Sequence, residues 1–295
     1  MSVAGTKMQP VIAVASGKGG TGKTTFAVNL AAALETNVIY LDADVEEPNG
    51  HIFLKPDIKE EIPVEVLIPE ADQARCTGCG ACKNACQFNA IILLKGQVLF
   101  FPELCHSCGA CVLACPHSIL FEKKRQVGII RQGDSKEICF AEGRLKEGEA
   151  KAPPVIKELH QYITQDKVCL IDVAPGSSCN AIEGIKPSDF VVLVTEPTPF
   201  GLHDLELAVK VVQRLNLPHG VIINKSDLGD NLVEDYCDKN AIPILMKIPF
   251  DRQIALLSSL GRLLVNEIPT YKEKFLACYQ AIEDILVGYQ DKGKE

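Results

Sequence analysis

Residues 11–25 read Val-Ile-Ala-Val-Ala-Ser-Gly-Lys-Gly-Gly-Thr-Gly-Lys-Thr-Thr, and they decide the larger part of the fold. Val11 to Ala15 is a short apolar run suited to a strand buried on both faces. Gly17-Lys18-Gly19-Gly20-Thr21-Gly22-Lys23-Thr24 satisfies the phosphate-loop pattern and sits between that strand and a helix. The helix, Thr24 to Glu35, carries Phe26, Leu30, Ala33 and Leu34 at helical spacing. The glycines let backbone N–H groups converge on phosphate oxygens, and the helix N-terminus adds a favourable dipole. Lys23 is therefore expected on the β/γ-phosphates and the Thr24 hydroxyl on Mg²⁺.

The same alternation continues along the chain. Val38 to Leu41, Val168 to Ile171, Val191 to Val194, Val221 to Ile223 and Ile244 to Ile248 read as strands. Val155 to Ile163, Leu202 to Leu215 and Leu232 to Asn240 read as helices. Strands separated by helices imply an α/β domain, a mostly parallel sheet flanked by helices.

Thirteen cysteines interrupt this reading. Eight fall in two copies of one spacing: Cys76-x-x-Cys79-x-x-Cys82-x-x-x-Cys86, then Cys105-x-x-Cys108-x-x-Cys111-x-x-x-Cys115-Pro116. Three thiolates so spaced wrap three corners of an iron–sulfur cube, and the fourth reaches toward the other cube. The expected ligand sets are crossed. Cys76, Cys79, Cys82 and Cys115 hold one [4Fe-4S] cluster; Cys86, Cys105, Cys108 and Cys111 hold the other. Zinc ribbons use cysteine pairs separated by a long gap, which this pattern is not. The two halves repeat around a small hairpin at Ile91 to Leu94 and Val98 to Phe101. A small α+β unit resembling a bacterial ferredoxin, residues 62–125, is therefore expected as an insertion after the second strand of the larger domain, residues 1–61 and 126–295. Val127 to Arg131 re-enters that domain.

The chain has 295 residues, 47% of them apolar, and a net charge of −8. The pI is near 5.4, and the one dense basic run is Lys123-Lys124-Arg125, so nucleic acid is not an expected partner. No apolar run reaches eighteen residues, and Met1 to Pro10 lacks signal-peptide character. Cluster cysteines need a reducing interior, so the expected compartment is the cytoplasm, without stable membrane insertion.

Lys18 is extra to an ordinary phosphate loop. With it, Gly17 to Thr25 resembles the deviant Walker A of the MinD/ParA superfamily, which includes the nitrogenase iron protein. That resemblance implies an ATPase forming a nucleotide-sandwiched homodimer, or a heterodimer with a paralogue, in which Lys18 crosses to the partner's phosphates. Asp42 and Asp44 end the second strand on one side. They resemble the family's switch I, which implies Asp42 in the Mg²⁺ shell and Asp44 on the attacking water. Asp172, followed by Val173-Ala174-Pro175-Gly176, resembles the Walker B/switch II acid of the Mg²⁺ site. Asn224-Lys225-Ser226-Asp227 does not by itself separate ATP from GTP; the resemblance places Asn224, Pro249, Phe250 and Asp251 against adenine. The cysteine insert, Thr195 to Asp204 and Gly143 to Glu149 narrow the likeness to MinD-superfamily ATPases containing an inserted ferredoxin domain, relatives of the Mrp-type cluster carriers. Gln87, where such a run often has Pro, is a small departure.

Two function classes follow. One couples ATP-driven dimer closure to electron transfer or to metal and iron–sulfur cluster assembly, with a redox or assembly protein as partner. The other is a MinD/ParA-like spatial regulator with redox-sensing clusters. Of the remaining cysteines, Cys169, Cys237 and Cys278 suit a buried core. Cys179, seven residues beyond Asp172, is a speculative metal ligand, with Cys139 as a possible counterpart. His106 and His203 read as loop and helix-start residues, not ligands. The last helix, from Tyr271 to Tyr289, has mixed charge and is expected to dock on its own domain through Phe275, Tyr279, Ile282 and Leu286, without binding membrane.

Overall fold

The computed structural model describes residues 9–292. Residues 1–8, most of the segment read against a signal peptide, and residues 293–295, which include Lys294, lie outside the described residues, as do the side chains of residues 290–292. The strands are β1 (Val11–Ala15), β2 (Val38–Ala43), β3 (Asp57–Ala71), β4 (Ile91–Leu94), β5 (Gln97–Phe100), β6 (Leu120–Ser135), β7 (Ile138–Leu145), β8 (Val168–Val173), β9 (Phe190–Thr195), β10 (His219–Asn224) and β11 (Ile244–Ile248). The helices are α1 (Lys23–Leu34), α2 (Gly50–Leu54), α3 (Ala81–Ala85), α4 (Ala110–Leu113), α5 (Pro153–Leu159), α6 (Cys179–Ile185), α7 (Pro199–Arg214), α8 (Leu232–Lys239), α9 (Arg252–Ser259), α10 (Leu264–Glu267) and α11 (Pro269–Lys292).

Nine strands form one sheet in the order β11-β10-β9-β1-β8-β2-β7-β6-β3. From β11 to β7 every pairing is parallel; β6 and β3 join antiparallel at the edge. Alternate residues of each strand face opposite cores, as the two-residue period of a strand requires. Ile12, Val14, Tyr40 and Phe190 pack with Phe26 of α1 on one face. Val11, Ala13, Ile171 and Val191 pack with α5, α6 and α7 on the other. Because β1, β8 and β2 are parallel neighbours, the loops after them open at the same edge, where ligands of such sheets bind.

Each strand run named from the sequence for this domain lies within a strand; the helical runs fall on helices, but several end late. Glu35, Leu215 and Asn240 lie one residue past α1, α7 and α8, and Val155 to Ile163 runs beyond α5 through a 3₁₀ turn at His160–Tyr162. The cysteine insert is attached in a way the sequence reading did not foresee. β3 and β6 pair from Asp57 with Asp134 to Ala71 with Leu120, with register shifts between Ile58 and Glu60 and between Val64 and Glu65, so Ile62 and Arg125 both fall inside strands. The lower half of this ribbon belongs to the main sheet through β7, and the upper half carries the cysteine lobe outward. In the lobe, β4 and β5 form the anticipated hairpin, and Ile91, Val98, Cys111 and Leu120 make a separate small core. β3 escaped notice because its charged outer face masks the alternation of Ile58, Ile62, Val64, Val66 and Ile68.

The last helix docks on its own domain. Phe275 and Ile282 are fully buried against α1, and the Phe275 ring lies 5.4 Å from that of Phe26. Lys272 also reaches Glu35 at 2.5 Å. Removing a buried ring costs both its transfer free energy and a cavity. Phe275→Ala is expected to lower unfolding free energy by about 3–5 kcal/mol, read from the denaturant midpoint at an unchanged slope.

Candidate nucleotide and cluster sites

Asp172, next to last in β8, has no exposed surface. A carboxylate buried at that depth must be paired and hydrogen-bonded. Thr24 Oγ1 donates to it at 2.5 Å, Tyr40 OH at 3.1 Å, and Lys23 Nζ lies at 3.4 Å. Lys23 also lies 4.0 Å from Asp44. The structure thus brings Lys23, Thr24, Asp44 and Asp172 together. Burial pushes the Asp44 carboxyl up to about 6, although Lys23 pulls the other way.

Tyr40 is a site residue that the sequence reading passed over. Burial, together with Asp172 and Asp42, holds its phenol well above the ordinary range, so it is a donor. A tyrosine within the apolar run of β2 was the available signal, since a buried hydroxyl needs a partner.

Asp42, expected in the Mg²⁺ shell, is held by backbone donors. Its Oδ1 accepts from the Asp44 N–H at 3.2 Å, and its Oδ2 from those of Asn49 and Gly50 at 3.0 and 2.8 Å. With both oxygens engaged by backbone, Asp42 is a clamp on the 44–50 loop, and that loop carries Asp44. Burial and then Asp172 push its carboxyl up, against the Gly50 N–H.

In the phosphate loop, a Cβ added at Gly19 or Gly20 would meet no atom within 4 Å, so the loop is open there. Gly17 instead packs against Asp204 of α7, where an added Cβ would lie 2.4 Å from a backbone oxygen. Thr21 Oγ1 is buried without a partner. An open cradle with an orphaned hydroxyl fits a phosphate group. Lys18 Nζ lies 3.4 Å from Glu196, which also accepts from Lys225 at 2.6 Å. Burial raises the Glu196 carboxyl, but the two lysines outweigh it and hold it below the usual value.

Beside the loop, a cleft is lined by Gly20, Gly22, Thr25, Asn224, Pro249, Phe250 and Asp251, among others. The residues expected against the base therefore converge on one cleft. Asn224 Nδ2 donates to the Thr21 carbonyl at 2.8 Å and so braces the loop. Asp251 caps α9 by accepting from Gln253 N–H at 2.7 Å. Asp227 accepts from Phe250 N–H at 2.6 Å and is absent from the cleft wall.

In the lobe, Cys76, Cys79, Cys82 and Cys115 line one small cavity. Cys86, Cys105, Cys108 and Cys111 line a second. The eight thiols are thus divided in the crossed pattern that the spacing implies. Gly80 and Gly109, with φ of 82° and 70°, begin the short helices that place Cys82 and Cys111. Among the described residues, no three His, Cys, Asp or Glu converge closely enough to hold a single metal ion. A cubane core instead takes four thiolates, and four cysteines line each cavity. The His106 ring stacks on Phe88 at 3.8 Å, as a wall of the second cavity.

Cys139 and Cys179 are not brought together. Cys139 pairs in register with Ile39, near the start of β2, whereas Cys179 follows the far end of β8. Cys139 accepts from Lys167 Nζ at 2.8 Å; Cys179 is exposed at the first position of α6. Cys169, Cys237 and Cys278 are buried as expected, and burial pushes the Cys278 thiol up to about 12.

Residues 12–151 match the family described as the CobQ/CobB/MinD/ParA nucleotide binding domain. An uncharacterized protein of Methanocaldococcus jannaschii is 30% identical over 281 residues, 93% of this chain and 97% of its own. An iron-sulfur cluster carrier protein of Pyrococcus horikoshii is 26% identical over 96% of this chain and 89% of its own. The septum site-determining protein MinD of P. horikoshii, complexed with Mg-ADP, shares the fold. Its TM-score is 0.58 at 22% identity over 94% of this chain and 97% of that one. No described helix is long and apolar enough to cross a membrane.

Gly50 shows how tightly the site is packed. A Cβ there would lie 2.5 Å from the Tyr40 ring. Gly50→Ala is therefore expected to lower stability by about 1–3 kcal/mol, as overpacking does, measured by denaturant unfolding.

Proposed function

Since this chain belongs to the CobQ/CobB/MinD/ParA family of nucleotide-binding proteins, we propose that it is an ATPase whose dimer closure on ATP is coupled to an iron–sulfur lobe, for electron transfer or for cluster assembly. The observation that carries the coupling is the crossed division of eight cysteines between two cavities of a lobe on the same sheet as the phosphate loop. The likeness to an iron-sulfur cluster carrier protein supports it. All eight ligands lie within one compact unit, which favours clusters kept for electron transfer over clusters handed on.

In this reading the phosphate-loop amides and Lys23 take the β- and γ-phosphates, and Thr24 and Asp172 hold Mg²⁺. When bound, Mg²⁺ neutralises phosphate charge and the two [4Fe-4S] clusters supply one-electron redox capacity. Asp44 orients the attacking water and accepts its proton; a carboxyl near 6 is mostly ionised at pH 7 yet basic enough for that work. Lys18 leaves Glu196 and reaches the phosphates of a second copy, supplying charge as an arginine finger does. Asn224, Pro249 and Phe250 face the base. Asp227, the carboxylate a guanine reader would use, is engaged by Phe250 N–H instead, which favours ATP. The apolar face of α11 is buried on α1, so a membrane-cycling spatial regulator is the weaker reading.

Anaerobically reconstituted protein is expected to bind about eight irons, and Cys76→Ala and Cys105→Ala to lose one cluster each. Stoichiometric zinc without visible absorbance would overturn the cluster reading. Lys23→Ala should abolish tight ATP binding. Asp44→Asn should keep ATP binding and slow hydrolysis by about 10²–10⁴-fold. Because burial raises Asp44 to about 6, its ionised form is lost as pH falls through that value. The wild-type kcat/KM should therefore be level above about pH 7 and drop about tenfold per unit well below 6. A profile flat down to pH 5 would remove Asp44 from the reaction.

A further inference from the structure

The two cysteine cavities are electrostatically unlike. The wall of the first, from Cys76 to Leu120, contains no Asp, Glu, Lys or Arg. The second is lined in part by Glu122 of β6, whose Oε1 stands 3.6 Å from where a Cβ on Gly109 would lie. Its Cys105 carbonyl also receives Lys151 Nζ at 2.5 Å. Lys151 is not a lobe residue. It precedes α5 of the larger domain, where Pro153 and Pro154 start the helix.

The segment that presents Lys151 is held firmly. Glu149 is buried; its Oε1 accepts from the Ala150 and Lys151 N–H groups at 3.1 and 3.2 Å. Its other oxygen takes Arg125 of β6 at 2.6 Å. That pairing neutralises Arg125, which also lies 3.9 Å from Glu103, and leaves Lys151 as the cation in contact with a ligand residue of the second site. Below it, α5 buries Val155, Ile156 and Leu159 and packs on α6, the helix that follows the Asp172 loop. The contact thus joins the second cysteine site to the body of the nucleotide-binding domain.

We infer that Lys151 and Glu122 are opposed charge-tuning residues for the cluster held by Cys86, Cys105, Cys108 and Cys111, and that through Lys151 the nucleotide-binding domain sets the potential of that cluster and not of the other. This rests on the reading that the lobe holds two clusters. One-electron reduction adds one negative charge to a site of four thiolates. A fixed cation beside it stabilises the reduced form and raises the potential, and a fixed carboxylate lowers it. Lys151 is a positioning residue as well, since its bond to the Cys105 carbonyl fixes the loop carrying that ligand.

The test is an anaerobic redox titration of the reconstituted full-length protein, reduced with dithionite in mediator dyes and followed by electron paramagnetic resonance. The second cluster's signal is assigned as the one absent from Cys108→Ala. Lys151→Met should move that midpoint to more negative potential, by about a tenfold change in the reduction equilibrium, or about 59 mV for one electron. Glu122→Gln should move the same signal upward. Lys151→Arg should restore the wild-type value, and Lys157→Met, which removes a cation from the neighbouring cleft without touching a ligand, should move it less. The first cluster's midpoint should stay in place throughout. Iron content separates the two levels of the reading. Protein without iron would sink the cluster assignment itself, whereas about eight irons with the second midpoint unmoved, or with both moved alike, would overturn the tuning roles alone. Should Lys151→Met shed its cluster, Glu122→Gln decides: an upward shift of the second signal supports the assignment, and no shift overturns it.

Discussion

A carboxylate buried at the carboxyl end of a central parallel strand is the constraint on which this molecule is organised. Asp172 has no exposed surface, and removing a partner from such a group costs about 3–5 kcal/mol. Its three partners come from two other places in the chain: Lys23 and Thr24 at the start of α1, and Tyr40 in β2. Satisfying one acid therefore ties the phosphate loop, β2 and β8 into a single arrangement. The chain of dependence continues outward, since room for the Tyr40 ring requires Gly50, and the Gly50 N–H in turn holds Asp42. Asp44, one residue past β2, is placed by this sequence of contacts rather than by the strand alone.

The edge of the sheet solves a different problem. An exposed edge strand invites pairing with other chains. Here β6 and β3 cover β7 and leave β3 as the edge strand, which carries Lys59, Glu60, Glu61 and Pro63. The same two strands then continue outward as the ribbon that carries the cysteine lobe. The lobe's own core is small, built on Ile91, Val98, Cys111 and Leu120, with Cys76, Cys82, Cys86 and Cys115 packed against it. A unit of that size lacks the apolar surface to hold itself together, and such units depend on metal or disulfide staples. On the proposed reading, cluster ligation and folding of the lobe would be one process.

Most of the nucleotide site was legible from local pattern. Glycines at fixed offsets between a strand and a helix leave few alternatives for Gly17 to Thr24, and the strand-end acids Asp44 and Asp172 follow from parallel alignment. Asp42 illustrates where such reading stops. Alternation set it on the same side as Asp44, but its three backbone donors come from a loop whose path no periodicity encodes. The pairing of Cys139 with Cys179 failed for a related reason: separation along the chain carries no information about which end of a sheet a residue occupies.

The sequence by itself determined the class of fold, the phosphate loop and the grouping of eight cysteines into two sets, because each depends on spacing within a few tens of residues. Tertiary structure decided the rest. It gave Asp172 a tyrosine partner, turned Asp42 into a clamp, engaged Asp227 with a backbone amide and set Lys151 against the carbonyl of Cys105. Each of those contacts joins residues from separate elements, and burial makes each obligatory or favourable only after the sheet has brought the elements together. Periodicity records which face a residue occupies; its neighbour on that face is chosen by strand order and by the path of the loops.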